Sequence, residues 1–317
     1  MRRVGTFAGR SNARRGAPPH VHVPSRQADR RYLGAALALI TAFLVGEVIA
    51  AILAGSLALL ADAGHMLTDA GALGIAIWAT RLAERPVTDV WTFGFKRAEI
   101  LSAAVNGVAL LIIAALVTAE AIDRLLHPSG VKGPVLVIVA IVGIAVNVLA
   151  TWVLAKANRT SLNVAGAFAH LVTDLWAFIG TAVAGVVIVT TGFSRADAIA
   201  SLVIVLLIVR AAHHLLRDSG RVLLEAAPAA VDLTDVRAHL LQATHVTDIH
   251  DLHAWVVTSD LPALSAHVVV SEDCFADGHA PQILDELQAC LMGHFDVDHS
   301  TFQLEPPGHT EHEAAGH

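Results

Sequence analysis

The sequence predicts a multi-pass α-helical membrane protein with six transmembrane helices and a C-terminal cytoplasmic α+β domain. Three observations carry that expectation. Of the 317 residues, 55% are hydrophobic and only 15% are charged, whereas an ordinary soluble domain is about 25% charged. Mean hydropathy is +0.61, and the apolar residues gather into runs near the roughly 20 residues that a spanning helix needs. After Pro228 the chain turns polar and its pattern shifts to mixed helix and strand. A single soluble domain is excluded, and so is disorder over most of the length.

Taken in order, residues 1–31 are polar and Arg-rich and are expected to form a disordered cytoplasmic tail. Helices are expected over about 33–54, 56–80, 98–122, 134–155, 164–191 and 196–216, within a transmembrane transport domain of 32–217. Short turns separate them at 54–56, at 128–134 and at 192–194. The first run is not expected to be a cleavable signal peptide, since about thirty polar residues precede it and it lacks a small-residue cleavage pattern. Lys and Arg near the helix ends set the orientation. Seventeen fall on the side of the N-terminal tail, and only Arg124, Lys132 and Arg195 fall on the other. Both termini are therefore expected in the cytoplasm. The Ala- and Arg-rich composition suggests a bacterial inner (plasma) membrane.

Residues 218–306 form the expected cytoplasmic domain. A helix over about 231–243 precedes strands at 247–258 and 263–271, joined by a turn at 259–262. A helix over 280–293 and a strand over 299–305 complete an αββαβ order. That order suggests helices on one face of a small sheet. Residues 307–317 are expected as a second, His-containing tail.

The chain has 18 His but only 2 Cys, a metal-friendly composition without a disulfide framework. Cys274 and Cys290 lack Cys-x-x-Cys spacing and read as ordinary reduced thiols. The informative residues are the ionisable ones at bilayer depth, where charge is costly and usually functional. The second helix carries Asp62, His65 and Asp69, and the fifth carries His170 and Asp174. A four-residue spacing places His65 and Asp69 one turn apart on one face, with Asp62 beside them. His170 and Asp174 repeat the spacing, with Asn163 on their stripe. Two imidazoles and two carboxylates suit a tetrahedral site for a borderline ion such as Zn²⁺, and imidazole disfavours Mg²⁺ and Ca²⁺. Each pair alone also fits a structural hydrogen bond within its helix; two matched pairs at similar depth favour the metal.

Glu47 in the first helix either lines the pathway, carries a proton or pairs with a neighbour, and with Asp62 it is a candidate pathway residue. Asn106 and Asn147 read as contacts between helices, and Glu120 as a surface ion pair with Arg124, one turn on. Metal binding needs neutral imidazole and ionised carboxylate, so cation and protons compete for one site. A buried site between helices suits alternating access. No phosphate-binding loop is present to suggest ATP. An intramembrane metalloenzyme is a rival reading, but His-Glu-x-x-His is missing and four protein ligands close the coordination shell. A membrane metal sensor leaves the matched pairs unexplained. The expectation is a secondary transporter, not an enzyme. Its partners are lipid, divalent cations and protons, with no organic cofactor and no nucleic acid.

At these residues the sequence resembles the cation diffusion facilitator family, in its zinc transporter and cobalt–zinc–cadmium resistance branch. The matching strings are SLALLADAGHMLTD at 56–69, TFGFKRAEI at 92–100 with Asn106-Gly107, AFAHLVTD at 167–174, RDSGRVLLEAAP at 217–228 and IHDLHAW at 249–255. The resemblance covers about 32–306. It implies a homodimer with a metallochaperone-like cytoplasmic domain that exchanges cytoplasmic cations for protons. It implies transport of Zn²⁺, often also Cd²⁺ or Co²⁺, at His65, Asp69, His170 and Asp174. In the soluble domain it implies zinc at His250, His267 and Glu305, with Gln303 one strand period away and His279 and His299 as weaker candidates. His253 reads as packing or surface. The family's long His-rich loop between helices four and five is missing from the short 156–163 segment.

Overall fold

The computed structural model describes residues 26–54, 57–127, 133–157, 161–193, 195–259, 261–297 and 299–309. Expectations for the tails before residue 26 and after 309 lie outside the described residues. So do the side chains of Asp62 and His65, although their backbone is helical.

Six long helices run in sequence: α1 (Arg26–Ala54), α2 (Leu57–Ala83), α3 (Ala98–Leu126), α4 (Gly133–Leu154), α5 (Leu162–Thr191) and α6 (Ala196–Leu223). Among the described residues α1, α3, α4, α5 and α6 are long and apolar enough to cross a membrane. α2 has 27 residues and carries the Asp62, His65 and Asp69 stripe. Two boundaries differ most from expectation, while α2 and α3 run three and four residues past their expected ends, to Ala83 and Leu126. α1 starts at Arg26, so residues 26–31 are helical rather than part of the tail. Asp29 is buried there, and Arg30 forms an ion pair with Glu84 at 2.8 Å, which docks the extra turn on the end of α2. α6 continues past 217 to Leu223, with Ser219 and Val222 buried on its inner side.

The helices share out two apolar cores. Leu33, Ile40, Met66, Leu73, Leu154 and Leu171 belong to one, built from α1, α2, α4 and α5. Leu110, Ala114, Ile204, Val205, Ile208 and Ala212 belong to another, between α3 and α6. Small residues permit the close approaches, as membrane helices require. A Cβ added at Gly107 on α3 lies 2.8 Å from Leu216 Cγ on α6, and one at Gly180 on α5 lies 2.5 Å from Ile204 Cδ1.

The soluble domain comprises α7 (Leu233–Leu240), β1 (Val246–Thr258), β2 (Leu261–Val270), a one-turn α8 (Asp273–Ala276), α9 (Ala280–Phe295) and β3 (His299–Glu305). Sheet order is β1-β2-β3, antiparallel then parallel. The connection between β1 and β2 is tighter than expected, because Pro262 already pairs with Val256. A proline is tolerated at a strand's start. Val236, Leu240, Ile283, Leu287 and Leu291 pack on Leu264, Ala266 and Val268, so α7 and α9 cover one sheet face.

β1 does not alternate evenly. Ile249 and Ala254 are buried in the core under α7 and α9, Leu252 packs against it, and Val257 is also buried. His250 pairs with His267 but His253 pairs with Ser265, so one extra residue is accommodated on β1. Asp251 takes a left-handed φ of 48° at that point. This bulge resets the alternation and keeps Asp251 and His253 out of the core.

Candidate metal centre

Asp69 on α2 and His170 and Asp174 on α5 meet inside the helical core. Among the described residues they form one of two groups whose metal-ligating atoms all lie within 4.8 Å of one another. Their exposures are 0%, 2% and 8%, so the group is shielded from bulk solvent. His170 Nε2 lies 2.8 Å from Asp69 Oδ1 and 3.7 Å from Asp174 Oδ2. The shorter of these two contacts runs between the helices and the longer along α5. For ligands about 2.05 Å from a tetrahedral Zn²⁺, neighbouring donor atoms lie about 3.3 Å apart. The two observed separations bracket that value.

α2 and α5 are fastened about two turns away from this group, at the N-terminal end of α5. Asn163 Nδ2 donates to the Ala76 carbonyl at 2.8 Å and to Thr80 Oγ1 at 3.0 Å. Asn163 thus links the two helices. Asn147 donates to Gly143 O on its own helix rather than to a neighbour, while Asn106 is buried on α3 with its Nδ2 3.5 Å from where a Cβ at Gly166 on α5 would stand. Glu47 on α1 is buried as well. The N-terminus of α5 is held from the soluble domain: the Leu162 amide donates to Ser259 Oγ at 3.1 Å. Ser161 at the cap position makes no such bond and reaches Glu99 at 3.4 Å. At the other end of α3, Arg124 pairs with Glu120 as expected and also with Asp197 on α6 at 2.9 Å.

The second group lies on the sheet face opposite α7 and α9. His250 Nε2 lies 3.1 Å from Glu305 Oε2, and His267 Nδ1 lies 2.8 Å from Glu305 Oε1. The two rings stand 5.0 Å apart, across the β1–β2 pair. Glu305 is 1% exposed, and Gln303 donates to its Oε1 at 2.8 Å. Asp251, put there by the bulge, lies 3.7 Å from His267 and 2.9 Å from His253. His279 and His299 stand apart from the group within one chain. His279 stacks on His245 at 5.8 Å, and His299 meets the edge of Phe93 at 5.8 Å. Of the two free thiols, Cys274 is buried, and burial pushes the Cys290 thiol above its ordinary range.

The family model described as the cation efflux transmembrane domain matches residues 33–224, and that of the cation efflux protein cytoplasmic domain matches 228–307. The chain belongs to the cation efflux family. This membrane protein is accordingly a metal cation transporter and not an enzyme, which removes the metalloenzyme reading. The chain is 37% identical to the cadmium, cobalt and zinc/H⁺-K⁺ antiporter of Bacillus velezensis over 92% of this chain and 93% of that one. It is 36% identical to the zinc transporter ZitB of Escherichia coli over 93% of this chain and 95% of that one. A solved structure of the metal-bound C-terminal domain of the CzcD transporter from Cupriavidus metallidurans is 37% identical, with a TM-score of 0.22. It covers 24% of this chain and 99% of that one.

Proposed function

We propose that this cation efflux protein exports Zn²⁺, with Cd²⁺ and Co²⁺ as further substrates, from the cytoplasm in exchange for protons. His65, Asp69, His170 and Asp174 form the transport site. The observation that carries this reading is the 2.8 Å contact between His170 Nε2 and Asp69 Oδ1. A hydrogen bond there needs a proton between the two atoms, since carboxylate oxygen only accepts. Zn²⁺ needs the same lone pairs, so a metal arriving on Nε2 displaces that proton. One site then holds either cation or proton, and a change in which side it faces couples the two fluxes. His65 belongs to the set because it sits one turn before Asp69 on α2. The mixed nitrogen and oxygen donors favour borderline divalent ions.

In this reading the protein is a homodimer in a bacterial plasma membrane with both termini in the cytoplasm. Zinc at His250, His267 and Glu305 draws the soluble domains together and biases the cycle. Zinc uptake into inside-out vesicles with an imposed pH gradient tests the proposal. Asp69→Asn and Asp174→Asn should abolish uptake; wild-type uptake by either sinks the site assignment. Uptake that ignores the pH gradient sinks the exchange.

A further inference from the structure

A second histidine pair, on the helical side of the soluble domain, is arranged for a metal. His239 lies in the last turn of α7, and His294 lies in the last turn of α9. Their ring centroids are 5.3 Å apart, with planes at 41°. His294 is exposed and His239 is half-buried. The packed core between helices and sheet separates this pair from His250, His267 and Glu305.

Each ring is held in the same way. His239 Nδ1 lies 2.9 Å from the Asp235 carbonyl, and His294 Nδ1 lies 3.1 Å from the Cys290 carbonyl. A carbonyl oxygen accepts only, so in the neutral ring each Nδ1 carries the proton and each Nε2 carries the lone pair. Anchoring the distal N–H on a backbone carbonyl is how metal-binding imidazoles are oriented and made more basic. Phe295 stands edge-on to His239 at 5.2 Å and 90°, which restricts that ring further.

The spacing also agrees with a shared ion. With Zn–N near 2.05 Å and a ring centre about 1.15 Å behind the nitrogen, each centroid lies roughly 3.2 Å from the metal. A tetrahedral angle then places two centroids about 5.2 Å apart, and a right angle about 4.5 Å apart. The observed 5.3 Å matches the first. Both rings also sit at helix C-termini, where the backbone dipole favours a cation.

We infer that His239 and His294 bind one borderline divalent cation of the zinc class through their Nε2 atoms, with water completing the shell, and that the ion clips α7 to α9. α7 is the first element after α6, so the clip fixes the point where the soluble domain leaves the membrane. This site is independent of the transport site and of the sheet-face group.

The full-length protein in detergent, with Zn²⁺ as the probe, provides the test. Metal content at equilibrium should fall by one zinc per chain in His239→Gln and equally in His294→Gln, with no further loss in the double variant. Diethyl pyrocarbonate attacks the same lone-pair nitrogen and gives a readout residue by residue. Zinc at ten times the dissociation constant should slow modification of His239 and His294 about tenfold in the wild type. In His239→Gln the protection of His294 should disappear while that of His250 and His267 persists, which also reports that the domain is folded. Unchanged zinc content, no protection in the wild type, or protection of His294 that survives His239→Gln overturns the assignment.

Discussion

Ser259→Ala removes the oxygen that accepts the Leu162 amide proton. The first amides of a helix have no partner within it, and Ser161 does not supply one with its side chain. A hydrogen bond of this kind contributes about 1 kcal/mol net. Its loss should raise the local opening constant of the first turn of α5 about fivefold, since 1.4 kcal/mol corresponds to a factor of ten. Amide exchange followed by mass spectrometry should show that acceleration at residues 162–165 and none at the buried middle of β2. Ser259→Thr keeps the hydroxyl and should exchange like the wild type. Unchanged exchange at Leu162 in Ser259→Ala refutes the idea that the soluble domain holds this helix end.

Other outcomes follow from the same contacts. Gly107→Ala places a Cβ 2.8 Å from Leu216 and should cost about 1–3 kcal/mol, seen as a lower Tm; Gly34→Ala, with nothing within 4 Å, is the control and should not share that loss. Arg124→Ala leaves Asp197, whose side chain is 11% exposed, without its guanidinium. It should destabilise the protein by about 1–2 kcal/mol, with Arg124→Lys recovering part of the loss and zinc flux per folded molecule unchanged. A disulfide engineered between α2 and α5 near Asn163 should leave zinc flux intact, whereas one between α5 and α6 near Gly180 should stop it until reduced. Equal inhibition by both would contradict the division into two cores.

Much of the fold was legible because its signals are local. Each membrane helix is a run of apolar residues of bilayer length, and the four-residue His–Asp spacing marks a face within any helix. β3 was read to its observed ends, 299–305. The illegible parts depend on partners far along the chain. Nothing near Asn163 announces a bond to the Ala76 carbonyl, 87 residues away, and nothing near Ser259 announces Leu162, 97 residues away. The polar first turn of α1 looked like tail because its partner, Glu84, lies beyond α2. The bulge at Asp251 was hidden for another reason. The string Ile249-His-Asp-Leu252-His-Ala254 slips its alternation by one residue, which a reading by period two smooths over. That slip sets Asp251 beside His267.

The two separate apolar cores have a mechanical consequence. Asp69, His170 and Asp174 all sit on helices of the larger core, and Asn163 ties α2 to α5 about two turns away. A rotation of α3 and α6 against the other four helices would slide along the seam marked by Gly180 and Ile204 and would leave the donor atoms in register. On the transport reading proposed above, the ion's cage would travel as cargo inside one rigid body, and its choice of metal need not change as it turns from one side of the membrane to the other.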